Sequence, residues 1–238
     1  MSLADILRCF ARDPAEPAKP APAPKTTPAP APRPAPAPAR VCETVRPVVQ
    51  APVRAPVRTE GHRFLCLDTE TTGISHDDRI CEIAILEFNE RFEVTSQLHR
   101  YINPQRRMPY GAFRVHGLSD AFLADKPVFG DVADEIADFI RGSDIFIHNA
   151  SFDTRMLNHE FGLLSRPSID LLNTNIHCSL KYARSLYAGM PRPRPSCTLD
   201  ALCTRYSISL ESRAEHHGAL IDTMLLLKLI ERMKMPLV

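Results

Sequence analysis

The 238-residue chain is long enough for one large domain or two small ones, and 29 Lys+Arg against 28 Asp+Glu exclude nucleic-acid binding through net charge alone. Seven cysteines without a C-x-x-C pair exclude a zinc ribbon or a disulfide framework. No stretch approaches a membrane span and no signal-peptide pattern opens the chain, so a soluble, cytoplasmic protein with reduced thiols and no membrane partner is expected.

Residues 1–60 hold 14 of the 22 prolines, none of the nine glycines, and nine basic against five acidic residues. Leu3, Ile6, Leu7 and Phe10 fall at i, i+3, i+4 and i+7, with Ser2 and Asp5 spaced as a capping box. A helix this short is marginal in water, so residues 1–12 read as an amphipathic docking motif that folds on a partner. Residues 13–60 are Ala/Pro-rich, broken by Lys and Arg, and cannot bury a core; they read as a disordered, extended linker reaching on the order of 100 Å.

From residue 61 to 238 the pattern is that of an α/β domain. Arg63–Asp68 and Arg79–Phe88 are apolar strands, and Gln97–Pro104 is a third, stopped at Asn103-Pro104. The short turns between them predict antiparallel neighbours. Helical spacing follows in Asp131–Arg141, then a buried strand at Asp144–Asn149 and a helix at Ser151–Leu164. A weaker strand is expected at Ser168–Leu172, a helix near Thr174–Tyr187, a short helix at Thr198–Tyr206 with Thr198 as N-cap, and a long closing helix from Gly218 to Met233. The order predicts a five-stranded mixed sheet with helices on both faces.

Three stretches carry chemistry. Asp68 and Glu70 sit at i and i+2 on extended backbone after an apolar run, so both point to one side. Taken alone, that pair suits a solvated turn. The Thr71-Thr72-Gly73 that follows offers hydroxyls and permissive backbone, as a loop approaching a phosphate or sugar needs. Asp153 lies in the first turn of a helix after the buried strand ending His148-Asn149, where the helix dipole alone would favour it. His217 and Asp222 open the last helix; on ideal helix, five residues apart, they diverge by about 140° and cannot flank one ion without distortion. This favours a fixed Asp222 and a His217 that reaches the site from a looser start. Asp222, on an apolar helix face, needs a partner that a buried Arg or a metal ion would equally supply. Together, four carboxylates without a cysteine ligand describe a hard-cation site for Mg²⁺ or Mn²⁺, suited to phosphodiester hydrolysis with His217 as proton acceptor.

LDTETTG (Leu67–Gly73), HNASFD (His148–Asp153) and HHGALID (His216–Asp222) resemble the three motifs of the DEDDh 3′→5′ exonuclease superfamily. The likeness is closest to the proofreading epsilon subunits of bacterial DNA polymerase III. It extends through VHGLSDAFLADKP (Val115–Pro127) and CTLDALCTRY (Cys197–Tyr206), covering about residues 61–235. It implies an RNase H-like fold, with two divalent ions held by Asp68, Glu70, Asp153 and Asp222 and with His217 as general base. It also implies substrate contacts from Thr71, Thr72, Gly73, His116, Asn149 and Phe152, while His148 would be structural and His216 an exposed neighbour of the base. The implied substrate is DNA with a free or mismatched 3′ end, and the implied partner a polymerase III catalytic subunit or clamp. Epsilon subunits begin almost at the first strand and carry a polymerase-binding C-terminal tail; here only sixteen residues follow Asp222. The N-terminal segment is therefore expected to do the docking. Two other readings share the motifs or the context: RNA 3′-end trimming of the RNase T or oligoribonuclease kind, and a non-catalytic polymerase scaffold, which five filled catalytic positions disfavour.

Overall fold

The computed structural model describes residues 62–172, 174–213 and 217–237. The expected docking motif, the linker and His216 lie outside the described residues. Five strands, β1 (Phe64–Thr71), β2 (Ile80–Phe88), β3 (Val94–Tyr101), β4 (Asp144–Ile147) and β5 (Asn175–Cys178), form one sheet in the order β3-β2-β1-β4-β5. The first three are antiparallel neighbours, as their short turns predict; β1–β4 and β4–β5 run parallel.

The helices are α1 (Tyr110–His116), α2 (Asp120–Leu123), α3 (Phe129–Ile140), α4 (Ser151–Leu163), α5 (Ser179–Leu186), α6 (Leu199–Arg205) and α7 (Ala219–Arg232). Two-residue periodicity sorts the strand side chains between two cores. Leu65, Leu67, Ile83, Ile85, Ile145 and Ile147 pack on one face against α3 and α4. Phe64, Cys66, Leu86, Phe88 and Phe146 pack on the other against Leu226, Leu227 and Ile230 of α7. The outer side of α7, through Leu225, Leu229 and Met233, is covered by Ala183 of α5 and Leu199, Leu202 and Cys203 of α6. Each fully buried Leu, Ile, Phe or Met side chain among these contributes about 1.5–3 kcal/mol, so α7 is fixed from two directions. Among the described residues, no helix is long and apolar enough to cross a membrane.

The structure corrects two expectations. Ser168–Leu172 is not a strand: Ile169–Leu172 is a 3₁₀ turn. The fifth strand is Asn175–Cys178, inside the segment expected to be helical, and α5 starts only at Ser179. Pairing with β4, from Asp144↔Asn175 to Ile147↔Cys178, dictates that strand against a weak local preference. Thr198 is the N-cap of α6 as expected, accepting the Ala201 N–H at 3.3 Å.

Candidate active site

β1 runs past the expected Asp68 to Thr71, so both carboxylates of its Asp-x-Glu stand on regular strand. Alternation puts Asp68 and Glu70 on the side of Phe64 and Cys66, facing α7, and Thr69 on the side of α4. The register slips between Glu70 and Thr71, the kind of irregularity that re-aims side chains at a sheet end.

Asp153, buried in the first turn of α4, accepts two hydrogen bonds at one oxygen: from the Thr69 N–H at 3.1 Å and from its hydroxyl at 2.7 Å. Thr69 thus stitches α4 to β1 between the two strand carboxylates. A second stitch is Glu160, also buried, which takes Arg79 in a bidentate pair at 2.9 Å and the Ile80 N–H at 3.0 Å.

On the opposite side, Asp222 lies in the first turn of α7, and His217 precedes that helix, whose N-cap is Gly218. Outside the helix, His217 escapes the divergence of the ideal spacing: its Nδ1 is 3.9 Å from Asp222 Oδ2, and donor atoms of Glu70, His217 and Asp222 lie within 4.8 Å of one another. The His217 N–H donates to the Val115 carbonyl at 3.0 Å, tying the residue to the last turn of α1.

Burial and crowding set the electrostatics. Burial, then the charges of Asp153, Asp222 and Glu70, push the Asp68 carboxyl well above its ordinary range. Glu70 is raised likewise by burial, then by Asp222 and Glu82. Burial pushes Asp153 up to about 7 against the pull of the Thr69 bonds, and Asp222 up to about 6 against the pull of Arg213. Four carboxylates this close oppose one another's ionisation, and a cation would relieve that repulsion. Asp222 Oδ1 is moreover buried with no hydrogen-bond partner. An all-oxygen set plus one imidazole, with one oxygen left unpaired, fits a divalent ion held by Glu70, Asp222 and their neighbours.

The residues expected to touch substrate are differently placed. The Thr71 hydroxyl donates to the Gly73 carbonyl at 2.6 Å and the Thr72 hydroxyl to Asp78 at 2.8 Å, so the hydroxyls brace the loop from within. Gly73 packs so tightly on Asp78 that a Cβ would lie 2.4 Å from its Oδ2, which reserves the position for glycine. Asn149, at φ 64°, and Phe152, half-buried with Arg155 over its ring, form the entry to α4. His116 is buried, its Nδ1 accepting the Leu118 N–H at 3.1 Å and its Nε2 3.9 Å from Cys81 Sγ. His148 bonds the Ser179 hydroxyl at 2.9 Å, and burial pushes it down to about 4, which suits a structural neutral imidazole.

Two residues at the site have no place in the sequence reading. Glu82, directly across from Glu70, is 3% exposed and paired with His99 at 2.7 Å. A Cβ on Gly218 would meet its carboxylate at 3.9 Å. Arg213 bridges Asp222, His217 and Asp200. The signal for Glu82 was a charge inside an apolar strand, which must have a partner, whereas Arg213, in the polar turn Glu211–Arg213, gave no local signal.

A carboxylate cluster at the end of the first strand of such a sheet defines a phosphodiester hydrolase that works with divalent ions. The exonuclease family matches residues 65–230. The DNA polymerase III subunit epsilon of Rickettsia felis is 44% identical over 167 residues, covering 69% of this chain and 70% of that one. Its Salmonella typhimurium counterpart is 43% identical over 174 residues, covering 69% and 68%. Exonuclease X in complex with 5′-overhanging duplex DNA has a TM-score of 0.54 at 25% identity, covering 73% of this chain and 95% of that one. E. coli exonuclease I in complex with a dT13 oligonucleotide shares the fold, with a TM-score of 0.64 at 19% identity; this chain spans 41% of it. The chain belongs to the exonuclease family and is a 3′→5′ exonuclease.

Proposed function

We propose that this exonuclease releases nucleoside 5′-monophosphates singly from DNA 3′ ends and proofreads for a polymerase III-type replicase. The observation that carries the reading is the convergence on Asp68 and Glu70 of Asp153 from the α4 side of the sheet and of Asp222 and His217 from the α7 side. These four carboxylates would hold two divalent ions, Mg²⁺ or Mn²⁺. Bound there, such ions would supply the positive charge that offsets the charge developing on the phosphate. His217 takes a proton from water as its oxygen bonds to phosphorus; the P–O3′ bond breaks, and O3′ leaves as an alkoxide that takes up a proton from solvent to become the 3′-hydroxyl of the shortened strand. The Thr71–Gly73 backbone, Asn149, Phe152 and His116 line the path of the terminal nucleotide. The names of the relatives favour DNA and a polymerase partner.

The test uses a 5′-labelled strand and a 3′-mismatched primer–template with Mg²⁺, Mn²⁺ or EDTA, beside Asp68→Asn and a matched RNA. A one-nucleotide ladder on DNA, absent in EDTA and in the folded variant, is expected. Preferential cleavage of the RNA would turn the reading to RNA trimming. Residues 1–60 are proposed to tether this activity to the polymerase or clamp, raising its local concentration. Their deletion is expected to spare oligonucleotide cleavage and abolish co-purification with the replicase; loss of cleavage would refute the tether.

A further inference from the structure

Arg213 ends a 3₁₀ turn (Glu211–Arg213), four residues before His217, and its side chain is 9% exposed. One terminal nitrogen lies 2.6 Å from Asp222 Oδ2 and 2.7 Å from His217 Nδ1, while the other is bonded to Asp200 on α6. Its Nε is buried without a partner, as is Asp222 Oδ1. Arg–carboxylate bridges frequently engage both oxygens in a fork, as Arg79 and Glu160 do. Here a donor and an acceptor of the same pair are left unmatched, each at a desolvation cost.

We propose that Arg213 is a built-in counter-cation that occupies the Asp222 side of the site until a divalent ion displaces it, and that in this position it keeps His217 from acting as a base. The proposal rests on the metal-site reading above. A guanidinium has no acceptor, so the His217 Nδ1 facing it must present its lone pair. The neutral ring then carries its hydrogen on Nε2, and neither nitrogen is available to a water proton. The donor atoms of Glu70, His217 and Asp222 lie within 4.8 Å of one another, and the guanidinium nitrogen stands 2.6 Å and 2.7 Å from atoms of two of these residues, so an ion drawn to the unpaired Asp222 Oδ1 is repelled by a cation already in place. Asp200, 42% exposed, gives the arginine a second anchor, so it can leave Asp222 without entering solvent unpaired. Ion entry, release of Asp222 and release of the base thereby become one event.

The test is a Mn²⁺ titration read by the paramagnetic resonance of the free ion, with melting in EDTA alongside. Asp222→Asn is expected to lose binding. Arg213→Gln, one positive charge poorer, is expected to bind Mn²⁺ about tenfold more tightly or better. It is also expected to melt lower in EDTA, because Asp222 is left uncompensated. Arg213→Lys, which keeps the charge, is expected to return Mn²⁺ affinity toward wild type. Should Arg213→Gln fail to fold in EDTA, refolding in saturating Mn²⁺ is expected, and failure there too overturns the proposal. Unchanged or weaker Mn²⁺ binding in Arg213→Gln overturns the counter-cation and leaves the metal site standing. A wild-type protein that binds no Mn²⁺ overturns both.

Discussion

The two sides of the active site are held by different means. On the α4 side, Asp153 is positioned by the backbone N–H and hydroxyl of one buried threonine. On the α7 side, Asp222 is held by a guanidinium and keeps one buried oxygen unpaired. The first side is built from neutral dipoles that stay put; the second is poised on a charge that an ion can replace. Preorganisation and responsiveness are thus assigned to opposite faces of one sheet.

The largest effect expected from breaking this division is on His217. Replacing it by alanine should slow hydrolysis by roughly 10²–10⁴-fold, the scale of a lost general base. Mn²⁺ binding should be largely kept, and single-turnover assays would measure the loss; full activity would remove His217 from its proposed role. Next comes Thr69→Val, which deletes one of the two bonds to Asp153 and should destabilise by about 1–3 kcal/mol in urea unfolding. An unaltered midpoint would mean that the α4 side does not depend on that hydroxyl.

The carboxylates also predict a pH dependence in EDTA. Asp153, at about 7, and Asp68 and Glu70, raised well above their ordinary values, bind more protons folded than unfolded. Their stability contribution is therefore present in acid and lost as pH rises through the folded values. His148, pushed down to about 4, acts in the opposite direction below its ordinary 6.5. Between pH 6.5 and about 8, below the range of the unfolded thiols, the carboxylates act alone, so the melting temperature should fall, and saturating Mg²⁺ or Mn²⁺ should abolish the fall. The smallest effect is expected from Asp200→Asn, whose partly exposed pairing with Arg213 should be worth less than about 1 kcal/mol.

Much of this was readable in the sequence because it rests on periodicity. The apolar runs of β1 and β2, the helical spacing of α3 and the apolar length of α7 each mark an element locally. The catalytic carboxylates stood out because they interrupt those apolar patterns at strand ends and helix starts. β5 was not legible: Asn175–Cys178 holds one β-branched residue and becomes a strand only by pairing with β4. α1 and α2, of seven and four residues, are too short for a helical period to register. At Asp222 the sequence left a buried arginine and a metal as equal partners. Nothing local could indicate that Arg213 fills the first role, since its other anchor, Asp200, lies on a separate helix.

α7 serves at once as a wall of two cores and as the carrier of Asp222. Its rotation is therefore set by Leu226, Ile230 and Leu229, not by the chemistry at its first turn. Losing one residue between Asp222 and Leu226 would turn Asp222 by about 100° relative to that packing. The segment is thus closed to insertions and deletions, however conservative, and any change of chain length in the domain must be taken up in its loops.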